Sequence, residues 1–155
     1  MHFDDMLKVG AAAIVRRTPS GWQLLTARRT EPPMSAGLWE FPGGKVEADE
    51  TVEDCVRREI LEELGVPVVL HEPIVGPLHG FWPLGERIAI ALWWCSVLGE
   101  AEPAPIEDHD ALTWLGVDEL RSVPWIPADL AIVDAIEPAL RQADRDDRFP
   151  HGVTA

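Results

Sequence analysis

The chain has 155 residues, of which 46% are hydrophobic and 26% charged, a balance typical of one globular domain. It carries 13 lysines and arginines against 27 aspartates and glutamates, which gives a formal net charge of −14. Such an acidic surface repels a phosphate backbone and argues against a general nucleic-acid-binding protein. A small anionic ligand stays possible, but a cation would have to lie between it and the protein.

The sequence gives no sign of export or of membrane insertion. Its N-terminus, MHFDDMLK, has no basic region followed by an apolar stretch. The longest apolar run, residues 88–98, is roughly half the length of a membrane-spanning helix. Cys55 and Cys95 lack CxxC spacing and fall in apolar segments. We therefore expect a cytoplasmic protein with buried free thiols.

The first half of the chain predicts a β-hairpin followed by a helix. Residues 8–17 and 22–28 are apolar runs separated by the turn sequence Thr-Pro-Ser-Gly, which indicates two paired strands. Residues 37–41 predict a short extended segment that Pro42 and the next two glycines end. Residues 51–64 contain neither glycine nor proline, carry acids in the first turn and precede Gly65, which predicts a helix.

The second half predicts further strands and a second helix. Residues 67–75 and 87–98 have the composition of strands, and a polar loop over 99–110 leads to a short strand at 112–115. Pro127 suits the first turn of a helix over 127–136, which Pro138 is expected to kink or end. The polar sequence from Gln142 predicts a single domain over 1–141 and a frayed tail over 142–155. This irregular alternation predicts an α/β or α+β fold with a mixed sheet.

The predicted helix at 51–64 places acidic side chains beside its apolar stripe. That stripe consists of Val52, Val56, Ile60 and Leu64. A solvated helix carries its acids on the opposite face, but a helical wheel puts Glu59, Glu62 and Glu63 near the stripe. Carboxylates three or four residues apart also repel one another by roughly 0.2–0.5 kcal/mol per pair. Arg58 and a hard divalent cation such as Mg²⁺ would compensate them; the alternative is a plain acidic helix with salt bridges.

The sequence around this helix resembles the Nudix box, G-x5-E-x7-R-E-U-x-E-E-x-G-U, in which U is aliphatic. Every specified position matches: Gly44, Glu50, Arg58, Glu59, Ile60, Glu62, Glu63, Gly65 and Val66. The sequence GLWEFPGGK at 37–45 is similar to the MutT-type branch of the family. The resemblance extends over about residues 9–136. It implies the Nudix fold, a mixed β-sheet sandwiched between helices in a single domain.

The resemblance implies roles for the box residues. The expected metal ligands are three carboxylates and one carbonyl oxygen: Glu59, Glu62, Glu63 and Gly44. The metal would be Mg²⁺, with Mn²⁺ as a substitute. Arg58 would orient Glu59, Glu50 would anchor the loop or assist at the metal, and Lys45 would lie beside the phosphates or stabilise the loop. A box glutamate, or hydroxide on the metal, would take the role of general base.

Members of this family often use one more acid outside the box. The loop EDHDALTW supplies three candidates: Glu107, Asp108 and Asp110. We expect Asp108 to join the metal site, because DHxALxW resembles MutT-type enzymes that act on cytidine nucleotides. For at least two of the three, the expected role is that of a solvated loop acid.

Three further residues, Arg29, Arg87 and Asp129, match positions that bind the nucleotide in MutT-type enzymes. Phe41 is expected to flank the base, with Trp39 nearby as a second candidate. The alternatives are surface ion pairs for the arginines, core packing for the aromatic residues and a favourable first-turn position for Asp129. An ionised aspartate only accepts hydrogen bonds, and the exocyclic amino group of cytosine donates them. The sequence WIPAD at 125–129 also resembles CTP pyrophosphohydrolases. A buried, protonated Asp129 would instead serve an oxidised guanine.

The sequence therefore predicts a Mg²⁺-dependent pyrophosphohydrolase that converts a nucleoside triphosphate to a monophosphate and pyrophosphate. CTP, dCTP and 5-modified cytidine triphosphates are the favoured substrates, and 8-oxo-dGTP is the alternative. A nucleotide-sensing Nudix module is a rival, but such modules usually lose box carboxylates. An interaction protein acting through its acidic surface would show no Mg²⁺ dependence. The expected partner is a small nucleotide, without nucleic acid or membrane, for a monomer or homodimer.

Overall fold

A computed structural model describes residues 2–153 of the chain. Its strands are β1 (Leu7–Thr18), β2 (Gly21–Arg29), β3 (Trp39–Glu40), β4 (Gly43–Lys45), β5 (Val68–Ile74), β6 (Trp82–Leu84), β7 (Ile88–Val97) and β8 (His109–Gly116). The α-helices are α1 (Val52–Leu64) and α2 (Leu130–Asp146). Short 3₁₀ turns lie at Phe3–Asp5, Val117–Glu119 and Pro127–Asp129.

The strands form one mixed sheet, as the sequence predicts. Its main order is β3-β2-β1-β7-β5, while β4 pairs with β1, β6 with β7 and β8 with β2. Strands β1 and β7 are parallel, with Leu7 opposite Ile88 and Ile14 opposite Cys95. The other named pairs are antiparallel. The parallel pair β1 and β7 therefore lies inside the sheet, with β2 on one side of it and β5 on the other.

Strand β1 is buried on both faces because a helix covers each of them. Ala12 and Ile14 belong to the core cluster that also contains the apolar side chains of α1. Ala11 and Ala13 belong to the cluster that contains the apolar side chains of α2. Alternate residues of a strand point to opposite faces, so this division places the sheet between the two helices. The predicted sandwich is confirmed, and both cysteines are free and buried as expected.

The first half of the chain follows the predicted elements closely. Strands β1 and β2 form the predicted hairpin, with Thr18 paired to Gly21. The α1 helix begins after Thr51, whose hydroxyl accepts a hydrogen bond from the N–H of Asp54 at 3.1 Å. It ends at Gly65, which has a φ of 72° and so adopts the left-handed conformation that favours glycine. Strand β4 was not predicted, because the glycine pair was interpreted as a stop.

The second helix is longer than predicted. Instead of ending near residue 136, α2 continues to Asp146 and contains Pro138 in its interior. A proline removes one N–H donor and leaves the carbonyl four residues earlier without its helical partner. Here Pro138 and Asp134 are both exposed, so water can satisfy that carbonyl. Ile136 and Leu140 are fully buried on the other side, and their packing holds the helix together across the proline.

The prediction of a frayed tail from Gln142 is also wrong for the described residues. Helix α2 crosses the expected boundary at residue 141. The Asp144 side chain accepts a hydrogen bond of 2.7 Å from the N–H of Trp22, which ties the end of α2 to the hairpin. Phe149 packs against the core and Val153 is buried. The polar composition therefore did not reveal that α2 continues with one apolar face. It also did not reveal that the segment after α2 packs against the core through Phe149 and Val153.

Candidate active site

Helix α1 carries a buried glutamate on the side that packs against the sheet. Glu63 is only 5% exposed, and its carboxylate accepts a hydrogen bond of 3.2 Å from the N–H of Gly43. Burial above all, and then three neighbouring carboxyl groups, raise the pKa of Glu63 to about 9. The three neighbours are Glu59, Glu40 and Asp108. An ionised Glu63 therefore requires a positive charge close by.

Glu59 lies one turn earlier on the helix and against the loop before it. Its side chain is 15% exposed, and burial raises its pKa while the Arg58 guanidinium acts in the opposite direction. A Cβ atom on Gly44 would lie 2.3–2.5 Å from the Glu59 carboxylate. No other residue type fits at this position without moving Glu59, which accounts for the glycine.

Arg58 connects the carboxylates of the box. It donates to Glu50 at 2.7 and 3.0 Å, to Glu59 at 3.0 Å and to Glu62 at 3.2 Å. It also donates to the carbonyl oxygen of Lys45. The hydrogen bond from Arg58 is the largest cause that lowers the pKa of Glu50 to about 2. These contacts fix the loop between β4 and α1 against the helix, and Glu50 anchors that loop.

Glu62 differs from the wheel prediction. The wheel placed it beside the apolar stripe, but its side chain is 49% exposed and contacts Arg58 at the surface. The helix therefore presents Glu59 and Glu63 toward the sheet and Glu62 toward solvent. A helical wheel gives only the approximate direction of a side chain around the helix axis. Glu62 lies at the edge of the apolar face, where the wheel does not distinguish a packed position from an exposed one.

The donor set fits a hard divalent cation. Across residues 2–153 no three acidic, histidine or cysteine side chains are arranged to hold a metal ion. Glu59 and Glu62 both accept hydrogen bonds from Arg58. The available donors are carboxylate and carbonyl oxygens, which Mg²⁺ prefers. The Gly44 carbonyl lies beside α1, within 3.4 Å of the Cys55 sulfur. Clustered acids around a buried Glu63 are the charge pattern that such an ion would neutralise.

A cleft of about 780 Å³ begins at these carboxylates. Of the predicted site residues, eight line it: Arg29, Phe41, Gly44, Lys45, Glu59, Glu63, Asp108 and Asp129. Asp108 is the one loop acid of the three predicted candidates in this lining, since Asp110 pairs with Arg28 at 2.7 Å. Glu107 is exposed beside the end of α1.

Asp129 lies in the cleft wall and is 2% exposed. Burial above all, and then the charge of Glu40, raise its pKa to about 7, while the Phe41 N–H and Arg29 act in the opposite direction. The Phe41 ring packs against Trp125, with ring centres 5.0 Å apart. One end of the cleft thus holds a buried acid and an aromatic ring, and the other holds the α1 carboxylates.

Two predicted nucleotide-binding residues lie outside the lining of this cleft. Trp39 packs beside the Arg28 guanidinium at 5.8 Å and pairs through its backbone with Trp125. Arg87 is exposed and immediately precedes β7. Trp39 is half-buried and belongs to neither core cluster, so its predicted role beside the base stays a prediction.

Two residues of this region were not singled out from the sequence. Glu40 lines the cleft and its carboxylate contacts both Arg29, at 2.7 Å, and His109, at 2.8 Å. The available signal for Glu40 was its charge between two aromatic residues, Trp39 and Phe41, in the segment predicted to be extended. His109 is distant in sequence, and only the pairing of β2 with β3 and β8 brings it to Glu40.

Comparison with known proteins agrees with this geometry. The family profile described as NUDIX domain matches residues 6–136. The chain belongs to the Nudix family. A relative from Mycobacterium tuberculosis, named an 8-oxo-dGTP diphosphatase, is 42% identical over 122 residues, which are 78% of this chain and 81% of the relative. The CTP pyrophosphohydrolase of Escherichia coli is 35% identical over 138 residues, 89% of this chain and 96% of the relative.

The Nudix fold is also shared with solved structures. A MutT Nudix hydrolase from Burkholderia pseudomallei superposes with a TM-score of 0.62 at 30% identity, covering 83% of this chain and 95% of that protein. The present chain is thus a Nudix hydrolase, an enzyme of a family that acts on the pyrophosphate bonds of nucleotides. Within residues 2–153, none of the helices has both the length and the apolar character needed to cross a membrane.

Proposed function

We propose that this Nudix hydrolase is a Mg²⁺-dependent nucleoside triphosphate pyrophosphohydrolase that prefers cytidine nucleotides. The observation that carries the proposal is the buried Glu63, surrounded by carboxyl groups, on the wall of a cleft that ends at a buried acid. One end suits a cation with its polyphosphate, and the other suits a base. Two relatives are named for 8-oxo-dGTP and for CTP, which are both nucleoside triphosphates, and these names support this substrate class.

At the phosphate end, Glu59, Glu63 and Asp108 would hold the cation together with the Gly44 carbonyl. Glu62 would join them from the exposed edge of α1. When bound, Mg²⁺ neutralises phosphate charge and polarises the phosphoryl oxygens. Lys45 also lines the cleft and places a second positive charge beside the phosphates. Arg58 keeps Glu59 oriented, and in-line attack of water then depends mainly on positioning and charge stabilisation.

At the base end, Asp129 is the expected reader of cytosine. A carboxylate accepts hydrogen bonds and cytosine offers its N4 amino group as donor. Phe41 supplies a ring on the same wall, and Arg29 also faces the cleft. Arg29 pairs with Glu40, so its charge is partly neutralised and the base end stays a site for a neutral, hydrogen-bonding ring. These features favour a base with an exocyclic amino group.

A second candidate, an 8-oxo-dGTP diphosphatase, has its own support. Because the pKa of Asp129 is raised to about 7, part of the protein at neutral pH carries a protonated side chain that both donates and accepts. Such a group matches the mixed donor and acceptor edge of an oxidised guanine. The 42% identical relative carries that activity in its name.

A panel of nucleotides separates the two candidates. Purified protein with Mg²⁺ is incubated with CTP, dCTP, 5-methyl-dCTP, 8-oxo-dGTP and dGTP, and monophosphate and pyrophosphate are quantified. The proposal predicts higher kcat/KM for the cytidine nucleotides, and pyrophosphate rather than orthophosphate as product. Turnover of 8-oxo-dGTP well above dCTP would establish the second candidate. Hydrolysis of none of them with Mg²⁺ or Mn²⁺ would contradict both.

The role of Asp129 is tested by the same panel. Asp129→Asn replaces an acceptor by a group that also donates, at nearly constant volume. We expect the ratio of kcat/KM for dCTP to that for 8-oxo-dGTP to fall. An unchanged ratio in a folded variant would show that Asp129 does not read the base.

A further inference from the structure

Glu40 is a cleft carboxylate whose position is fixed from several sides. Its backbone pairs with Ala27, and its carbonyl oxygen accepts a hydrogen bond of 2.9 Å from the Thr26 hydroxyl. One carboxylate oxygen, Oε1, accepts from Arg29 at 2.7 Å, and the other, Oε2, contacts Nε2 of His109 at 2.8 Å. Because Arg29 and His109 each contact a different oxygen, the carboxylate group of Glu40 is held in one orientation.

Glu40 also lines the cleft that Asp129 and Glu63 line. Its charge raises the pKa of Asp129 at the base end and that of Glu63 at the phosphate end. A carboxylate in this position can meet the edge of a base only if it keeps one orientation. A rotation would break the contacts with Arg29 and His109 and change the direction in which the acceptor oxygens are presented.

Among residues 2–153, the His109 side chain makes one polar contact, which is with Glu40. Its side chain is fully buried, and among the described residues Nδ1 has no hydrogen-bond partner. A carboxylate oxygen accepts from a ring N–H, so Nε2 is the donor in this contact and Nδ1 is left without a partner. Burying a polar ring atom without a partner is unfavourable, and an apolar side chain would fill the same space at lower cost. The contact with Glu40 is therefore the reason that a histidine suits this site.

The local backbone places His109 for that contact. Strand β8 pairs with β2 in a regular register from Gln23 to Arg28, and a shift then brings His109 opposite Arg29. The residue before it, Asp108, has a φ of 61°. The irregularity lets Asp108 line the cleft while the neighbouring His109 points into the protein toward Glu40.

We propose that His109 is a positioning residue that sets nucleobase selectivity through the orientation of Glu40. Arg29 fixes one oxygen and His109 the other, so that the remaining lone pairs of Glu40 are presented to the base beside Asp129. This role rests on the proposed function only in that selectivity is measured with nucleoside triphosphates. It applies to whichever base the wild-type protein prefers.

Two variants differing by one methylene group test the role of His109. His109→Gln keeps an N–H donor at about the reach of Nε2, whereas the amide of His109→Asn stops short of Glu40. We expect the Asn variant to raise KM for the preferred nucleotide about tenfold, as loss of a hydrogen bond to a charged group does, with kcat changed less than about twofold. The Gln variant should stay within about threefold of the wild type in kcat/KM.

The control is His71→Gln. His71 also makes a 2.8 Å contact with a side-chain oxygen, that of Ser96, but it lies on β5 and does not line the cleft. We expect this variant to retain the selectivity of the wild type. Melting temperatures are recorded for all proteins, and His109→Leu provides a third substitution if the Asn variant does not fold.

Three results would overturn the proposal. An equal fall in kcat/KM for every nucleotide in the Asn variant would indicate a merely structural role. A fall in kcat with KM unchanged would place the effect at the phosphate end, through Asp108. Equal loss of selectivity in the Gln and Asn variants would show that the donor does not matter. Absence of turnover by the wild type is a separate outcome, which contradicts the proposed function before any variant is compared.

Discussion

The buried carboxyl group of Asp129 makes the stability of this protein depend on pH. The residue is 2% exposed, and burial above all raises its pKa from 3.8 to about 7. A shift of about 3 pH units corresponds to about 4 kcal/mol, at 1.36 kcal/mol per unit. The unfolded chain releases this proton near its ordinary pKa, whereas the folded chain keeps it up to about pH 7. The contribution is therefore fully present below about pH 4 and is lost as the pH rises through about 7.

Comparison of the wild type with Asp129→Asn isolates this contribution. The free energy of unfolding is measured by urea denaturation from about pH 4 to about pH 8, with EDTA present. Glu59 and Glu63 titrate in both proteins, so their effect largely cancels in the difference. The wild type should lose up to about 4 kcal/mol relative to the variant across this range, most of it between about pH 5 and pH 7.

Asp110→Asn supplies a control of opposite sign. A hydrogen bond from Arg28 lowers the pKa of Asp110, so the wild type gains stability relative to this variant as the pH rises from the acid side. A difference for Asp129→Asn that stays constant within about 0.5 kcal/mol would show that Asp129 is hydrated in the folded protein. A difference that favours the wild type at high pH would show that Arg29 outweighs burial.

Three further substitutions test the phosphate end and the second helix. Glu63→Gln removes the buried carboxyl group that would bind the cation; turnover measured with Mg²⁺ should fall by orders of magnitude while circular dichroism stays native, and near-normal activity would contradict the metal site. Gly44→Ala places a Cβ within 2.3–2.5 Å of the Glu59 carboxylate; we expect weaker Mg²⁺ activation, and unchanged activation would show that the loop moves freely. Pro138→Ala returns an N–H to the interior of α2 and should raise the free energy of unfolding by about 1–3 kcal/mol; a decrease would mean that the proline ring is needed for packing.

The sequence predicted helix α1 well because its signal is local. Helix α1, its Thr51 cap and its Gly65 end depend on residues within a few positions of one another. The same holds for Glu59 and Glu63, which lie one turn apart and face the sheet. The wheel placed Glu62 on the packed side of the helix, whereas its side chain is half exposed. The wheel prediction was wrong because it contains no information on how far the sheet extends beneath the helix.

Features that depend on distant strands or on packing could not be predicted in the same way. The contact of Glu40 with His109 joins residues 69 positions apart and requires the register of three strands. The length of α2 depends on Ile136 and Leu140 packing against the sheet, which outweighs the helix-breaking tendency of Pro138. The segment after Gln142 looked like a tail because its few apolar residues, Ala143 and Val153 among them, are widely spaced.

The most direct test of the account is whether the α1 carboxylates take up Mg²⁺. Isothermal titration calorimetry is carried out on the wild type and on Glu63→Gln, alone and with a CTP analogue whose bridging oxygens are replaced by methylene groups. We expect the wild type to bind Mg²⁺, more tightly with the analogue, and the variant to lose most of this binding. Absence of Mg²⁺ uptake by the wild type in both conditions, with the fold intact, would contradict the assignment of the cleft.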